Sequence, residues 1–221
     1  MIYSISKKIA IGLTAGALLL TGCGKKAEEA AAVTIPDAPD NAIQTVIREF
    51  AKGNGGILWQ AMPASYQSDV NTLAQLAGSK IDPEVYDSSF ATIARLAQIV
   101  EQQQAFILNS SFMQDRSVEE IAELEAALPS IVGLVEIITS SELASTNGLL
   151  NFNGQEFFDT TVSKLTQYAE TLGQLAGDES VLSDYMNAVV SVVEADDMQA
   201  TLLTTIPGQE PLEQVFTKVE Q

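Results

Sequence analysis

The chain has 221 residues, with 11 Lys and Arg, 29 Asp and Glu, no His and a single Cys, and its net charge is −18 at pH 7. This charge repels nucleic acid and anionic lipid headgroups, so we expect neither as a binding surface. The lack of His excludes Ser-His and Cys-His nucleophile pairs and His-based zinc sites. We therefore predict a protein that is not an enzyme, with no cofactor, no metal and no nucleic acid partner.

The N-terminus has the pattern of a secretory signal. Lys7 and Lys8 precede an uncharged, mostly apolar run, Ile9–Leu20, as in the n-region and h-region of such signals. As a helix this run would be about 18 Å long, too short to cross a hydrocarbon core of about 30 Å. Residues 1–22 are therefore predicted to be a signal peptide rather than a transmembrane helix.

The sole cysteine, Cys23, completes the sequence Leu20-Thr21-Gly22-Cys23, which resembles the lipobox of bacterial lipoproteins. The resemblance implies a diacylglyceryl thioether on Cys23, cleavage just before it, and often a further acyl chain such as palmitate on the new N-terminus. Two or three acyl chains hold a protein firmly on a membrane. Gly24 replaces the Asp that resembles the inner-membrane retention signal of enteric bacteria, which favours the outer membrane, facing the periplasm, if the cell is Gram-negative.

Residues 23–40 are predicted to be the lipidated cysteine and a flexible tether. The segment has two prolines and few large apolar side chains, a composition typical of linkers. Fully extended, it would reach about 60 Å. Residues 41–221 have the size of one domain, so we expect a single folded domain in the cell envelope that can work away from the bilayer.

In the first part of the domain, apolar residues recur at the spacing of an α-helix. We expect a first helix with Asp40 as its N-cap and its end near Gly53, and a second that begins at Pro63 and stops at Gly78. Their apolar stripes are Ile43, Val46, Ile47 and Phe50, and Tyr66, Val70, Leu73 and Ala77.

Capping signals mark the next helices. Asp82 before Pro83 predicts a helix that continues to about Leu108. Ser117 and Glu120 have the spacing of a capping box, and the helix that they begin is expected to kink or split at Pro129.

The last part of the chain combines helices with a hairpin. Asn153 is the predicted start of a helix that ends at Gly177, and Val181–Val193 is expected to be the last helix despite its β-branched residues. Apolar and polar residues then alternate on both sides of a Pro-Gly turn, which predicts an antiparallel hairpin at about 198–219. The predicted fold class is mainly α, a multi-helix domain with a small C-terminal antiparallel β-hairpin (α+β).

Two short features leave alternatives open. Thr72–Gly78 and Thr171–Gly177 differ at one position, which indicates either an internal duplication or the chance recurrence of a leucine-rich helix end. Trp59, Met62 and Tyr66 lie beside the glycine-rich break GNGG and could line a groove for an apolar ligand. Their spacing also fits a helix face packed in the core, which is the simpler interpretation.

The segments ILWQAMPASYQSDVN and TTIPGQEPLEQVFTKVE look like parts of a group of uncharacterised bacterial lipoproteins. The resemblance implies a helical middle and a few C-terminal strands, and it brings no activity with it. In that group the last strand continues into a Gly-x-Trp ending, which this sequence lacks. We therefore expect a shortened terminal sheet.

Three function classes follow. The first is a lipid-anchored, non-enzymatic module that binds an envelope protein or assists envelope assembly, and its partners would be the membrane, through Cys23, and another protein. The second is a carrier of an apolar ligand or lipid, which needs a cavity lined by residues such as Trp59, Phe106 or Phe157. The third is a hydrolase without His, using Ser and Lys or carboxylates.

Overall fold

The computed structural model describes residues 33–175 and 181–218. The predicted signal peptide, Cys23, the first part of the tether and Gly177 lie outside these residues. The helices are α1 (Pro39–Ala51), α2 (Gly56–Gln60), α3 (Ala64–Lys80), α4 (Pro83–Gln102), α5 (Gln104–Leu108), α6 (Val118–Thr139), α7 (Thr146–Leu150), α8 (Gly154–Phe157), α9 (Ser163–Leu175) and α10 (Val181–Met186). Together with a small C-terminal sheet, they confirm the predicted fold class.

The sheet contains three antiparallel strands in the order β1 (Val189–Ala195), β2 (Gln199–Thr205) and β3 (Leu212–Thr217). The predicted hairpin corresponds to β2 and β3. The helix predicted over Val181–Val193 is wrong beyond Met186, because the valines that follow form β1. β-Branched side chains lose rotamer freedom in a helix and pack well on a sheet. These valines therefore favour a strand, which forms here because it pairs with β2.

Helix α1 packs on one face of this sheet. Val190, Ala200 and Leu202 form a buried cluster, and Ile43 and Ile47 of α1 cover it. The two isoleucines are four residues apart and therefore share one helix face. The start of the domain is thus packed against its end.

A single side chain joins α1 to the edge of β1. The amide of Gln44 donates from Nε2 to the carbonyl oxygen of Ala188 at 2.7 Å, and its Oε1 accepts the backbone N–H of Val190 at 2.9 Å. These are the two bonds that a neighbouring strand would make. Gln44 therefore replaces a fourth strand at this point.

The predicted caps are mostly confirmed. Asp82 accepts the backbone N–H groups of Glu84 and Val85, Ser117 and Glu120 form the capping box, and Asn153 accepts the N–H of Glu156. The N-cap prediction for Asp40 is wrong. Ala38 occupies that position, Pro39 begins the helix, and Asp40 lies in the first turn, where a carboxylate complements the helix dipole.

Two predicted helix ends are also wrong. Gly78 lies inside α3, where an added Cβ would be 2.8 Å from Cβ of Leu149 and 2.9 Å from the backbone nitrogen of Leu150. Gly78 therefore allows α3 and α7 to approach closely and does not stop the helix. The helix expected to reach Leu108 is instead interrupted at Gln103, which separates α4 from α5.

Pro129 does not split its helix, since α6 runs through it from Val118 to Thr139. A proline lacks the N–H that would bond the carbonyl four residues earlier, which here belongs to Glu125. The side-chain amide of Gln104 donates to that carbonyl oxygen at 3.1 Å. A neighbouring helix thus supplies the hydrogen bond that the proline removes.

Replacing Gln44 with Ala should weaken the joint between α1 and the sheet. The substitution removes two hydrogen bonds and leaves two partly buried backbone groups unpaired, so we expect a loss of about 1–3 kcal/mol in the free energy of unfolding. Urea denaturation followed by circular dichroism measures it. Arg48→Ala, at an exposed position of the same helix, is the matched control, and equal losses in both variants would contradict the role of Gln44.

Candidate functional site

Trp59 is a core residue. Its side chain is almost fully buried, and its ring lies 5.5 Å from that of Phe158, centroid to centroid. An added Cβ on Gly154 would lie 2.1 Å from the indole ring, so the glycine gives the ring its space. The indole of α2 therefore packs against the segment that begins at Gly154.

The glycine-rich break beside Trp59 is also filled. A π-helical segment, Phe158–Val162, joins α8 to α9 and packs against the break. The N–H of Gly55 donates to Oγ of Ser163 at 2.8 Å, and an added Cβ on Gly55 would be 2.6 Å from the backbone nitrogen of Ser163. The glycines thus serve close packing between backbones.

Met62 and Tyr66 have different surroundings. Met62 is half-buried, and Tyr66 is exposed. The side-chain amide of Gln67 donates to the backbone carbonyls of both Trp59 and Met62, which fixes the turn between α2 and α3. The three residues proposed as a groove lining are therefore a core ring, a residue of a turn and a surface tyrosine.

The segments that contain the two near-identical heptapeptides share two further features. Ala64 and Ser163, the first residues of α3 and α9, have the same separation in sequence as the two near-identical heptapeptides. So have Trp59 and Phe158, whose rings are in contact. The two segments are therefore equivalent in helix start and in the aromatic residue that precedes it.

The described ranges also lack two kinds of feature. None of their helices is long and apolar enough to cross a membrane. Within the same residues, no three His, Cys, Asp or Glu side chains group so as to hold a metal ion.

A cluster of apolar side chains is exposed where α4 connects to α6. The connection consists of α5 and a short 3-10 turn, Ser111–Met113. Phe106 is 74% exposed, Phe112 is 90% exposed and Val118 is 79% exposed. We call the apolar residues that line one hollow here the apolar tip and define it as Phe106, Ile107, Phe112 and Met113.

The apolar tip surrounds two hollows that share one residue. The larger, of about 600 Å³, is lined by Phe106, Ile107, Ser110, Ser111, Phe112 and Met113. The smaller, of about 310 Å³, is lined by Met113, Arg116, Glu120, Ile121 and Leu124. Met113 therefore lines both hollows, and the smaller one is also lined by the ion pair of Arg116 and Glu120.

Hydrogen bonds hold the connection that bears the tip. Oγ of Ser110 donates to the carbonyl of Ile107 at 2.6 Å, and the N–H of Met113 donates to the carbonyl of Ser110 at 3.0 Å. Packing of α4 on α6 and the bond from Gln104 to Glu125 support its base. Phe106 on α5 and Phe112 on the hydrogen-bonded turn therefore remain exposed, although burying each side chain would stabilise the protein by about 1.5–3 kcal/mol.

Acidic residues follow the turn of the apolar tip in sequence. Asp115, Glu119 and Glu120 are exposed, and Arg116 forms an exposed ion pair with Glu120 at 3.3 Å. The backbone N–H of Ser117, followed by the Arg116 guanidinium, lowers the pKa of the Glu120 carboxyl. Glu120 therefore stays ionised at the rim of the smaller hollow at neutral pH.

From this cluster, only Phe106 was predicted to have a role, as a residue that lines a cavity. The available signal was the segment Phe106–Met113, FILNSSFM, in which large apolar residues stand on both sides of the short polar run Asn-Ser-Ser. Two aromatic residues in a short polar connection indicate an exposed contact surface. Helical periodicity does not detect such residues because they lie outside the long helices.

Comparisons with known proteins give no relative: no family model matches the sequence, and no curated protein or solved structure is significantly similar to it.

The stability of the first turn of α6 should depend on pH through the ionisation of Glu120. Since its pKa is lower in the folded protein than in the unfolded chain, its stabilising effect is present above the unfolded pKa and is lost as the pH falls through the folded one. The protection factor of the Ser117 amide, which is the intrinsic exchange rate at each pH divided by the measured rate, should therefore fall across that acidic range. Glu120→Gln keeps a capping side chain and should make this change disappear; the same acid-induced change in the variant would contradict the assignment.

Proposed function

We propose that the protein is a lipid-anchored lipoprotein of the cell envelope that acts as a non-enzymatic interaction module. Support for the anchor comes from the lipobox-like Leu20-Thr21-Gly22-Cys23 behind an apolar run of signal-peptide length. The first helix of the described domain, α1, begins at Pro39, close to the predicted end of the tether. The outer membrane, facing the periplasm, is the expected site in a Gram-negative cell.

The apolar tip is the proposed binding surface. The observation that carries this proposal is the exposure of Phe106 on α5 and of Phe112 on the hydrogen-bonded turn that follows, at one end of the α4 and α6 pair. Aromatic side chains contribute strongly to protein interfaces when a partner removes them from water.

The chemistry of the tip defines its partner as a protein segment with an apolar anchor and basic flanking residues. The larger hollow has room for one or two apolar side chains. The carboxylates of Asp115, Glu119 and Glu120 attract Lys or Arg at the rim and would speed the encounter. An anionic membrane surface would be repelled by the same groups.

A carrier of an apolar ligand is the second candidate. The larger hollow is almost entirely apolar and is lined by Phe106 and Phe112, so an acyl chain could lie in it. The hollow opens to solvent between exposed side chains, whereas carriers usually enclose most of the ligand surface. The interaction module is therefore favoured.

The anchor is tested by replacing Cys23 with Ser. The thiol is the group that would receive the diacylglyceryl chain, so the variant should remain an uncleaved precursor without incorporated palmitate. Metabolic labelling of the native host with palmitate, followed by gel electrophoresis, measures the incorporated palmitate and shows whether the signal peptide has been cleaved. Thr21→Ser keeps a small residue before the cysteine and should still be labelled; label on Cys23→Ser would contradict the lipobox.

The partner is tested by a photo-crosslinking amino acid at position 112 in intact cells. We expect a crosslinked product of protein size, and Phe106→Ala should reduce its yield about tenfold or more, as for a contact worth roughly 1.5–2 kcal/mol. The same probe at Val85, exposed at the other end of α4, is the matched control.

Three results separate the alternatives. A product with a protein at position 112 alone supports the interaction module. A product with only lipid-sized mass favours the carrier. Equal products at positions 112 and 85 would contradict a specific site at the tip.

A further inference from the structure

The two edges of the C-terminal sheet differ. At the β1 edge, Gln44 bonds to Ala188 and Val190, and a bulge interrupts the register between Val192 and Glu194. Bulges and covered edges prevent a sheet from adding strands. At the other edge, β3 pairs with β2 in an unbroken register, and no further strand covers it in the described part of the chain.

The outward backbone groups of β3 can be assigned. The N–H of Lys218 donates to the carbonyl oxygen of Met198 at 2.7 Å, so Lys218 faces β2. In an antiparallel pair, residues alternate between facing the partner strand and facing away from it. Residues 214 and 216 therefore face β2 as Lys218 does. The N–H and C=O groups at the free edge that have no partner within residues 33–175 and 181–218 belong to Glu213, Val215 and Thr217.

We propose that β3 pairs in antiparallel fashion with β3 of a second copy of this chain, around a two-fold axis at Val215. In this register Val215 lies opposite its own counterpart, and Glu213 lies opposite Thr217 of the other copy. Each outward N–H and C=O of the three residues then gains a partner. Two three-stranded sheets become one continuous sheet with an isologous interface.

The side chains favour this register and this occupant. Val215 is 64% exposed, and pairing would cover it with an identical β-branched side chain. Glu213 does not meet Glu213 of the other copy, so no like charges lie directly opposite. If one β3 strand were shifted by one residue, the exposed face of one sheet would continue into the covered face of the other. A shift by two residues would leave some of the outward N–H and C=O groups unpaired. The edge is therefore self-complementary.

The charge of the chain sets the conditions for pairing. Two copies with a net charge of −18 each repel one another over a distance that salt shortens. The proportion of dimer should therefore rise with ionic strength, opposite to the behaviour of a contact between unlike charges. This inference does not depend on the apolar tip.

Disulfide trapping tests the register. In the full-length chain in mild detergent, Cys23→Ser removes the sole cysteine, and Val215→Cys then adds one at the proposed axis. Opposite residues of a hydrogen-bonded pair have Cα atoms about 5.5 Å apart, within reach of a disulfide. The matched control is Val189→Cys in the same background, which is 57% exposed on β1.

We expect the Val215→Cys chain to form a covalent dimer at least about tenfold faster than the control, because pairing raises the effective concentration of the two thiols. Equal rates would overturn the proposal. A Val215→Cys disulfide to a different protein in intact cells would also overturn it and assign the edge to a foreign strand.

A proline variant separates pairing from folding. Val215→Pro removes only an outward N–H, whereas Gln214→Pro removes one that faces β2. We expect Val215→Pro to abolish the salt-dependent dimer, measured by lysine crosslinking, while its urea midpoint stays close to that of the parent. Gln214→Pro should lower the midpoint. Unchanged dimer in Val215→Pro would contradict edge pairing.

Discussion

The two hydrogen bonds of Gln44 are the constraint on which the arrangement of the sheet depends. They join α1 to the start of β1, between residues that are 144 and 146 positions apart in the sequence. Ile43 and Ile47 on the same helix cover the buried face of the sheet. A three-stranded sheet is stable only when an apolar face is covered. The same bonds close one edge of the sheet and leave β3 as the open one.

Glycines provide room for neighbouring segments at several contacts between helices. Gly78 allows α3 to meet α7, Gly55 meets the backbone of the π-helical segment, and Gly133 of α6 leaves space for the ring of Tyr168 in α9. Many apolar side chains of the described helices are exposed, and those of the apolar tip are grouped beside a hollow.

Local chemistry made much of the fold predictable. The caps at Asp82 and Ser117 depend on residues within one helical turn, so the sequence alone identifies them. Gly78 could not be interpreted in this way, because a glycine that ends a helix and one that admits a neighbouring helix look the same in a sequence. Likewise, Val189–Ala195 becomes a strand only because β2 is beside it, a long-range contact that overrides a local pattern.

The candidate site was less predictable than the fold. Trp59 was singled out for its position beside a glycine-rich break, yet the break is filled by a segment distant in sequence, around Ser163. Phe112 gave no periodic signal, and its exposure depends on where the turn between α4 and α6 places it. Burial is a property of the whole packed chain, so a sequence identifies aromatic residues but not which of them remain at the surface.

We propose that a partner covers the apolar tip in the cell, and thiol labelling of Ser111→Cys measures this most directly. Ser111 is exposed and lines the larger hollow, and its substitution keeps both phenylalanines. The labelling rate with a membrane-permeant maleimide is compared between intact cells and the purified chain, with Val85→Cys as the exposed reference. We expect position 111 to react at least about tenfold more slowly in cells, as a contact buried in an interface would, and position 85 to react equally in both. Equal rates at position 111 in cells and in the purified chain would contradict the proposal.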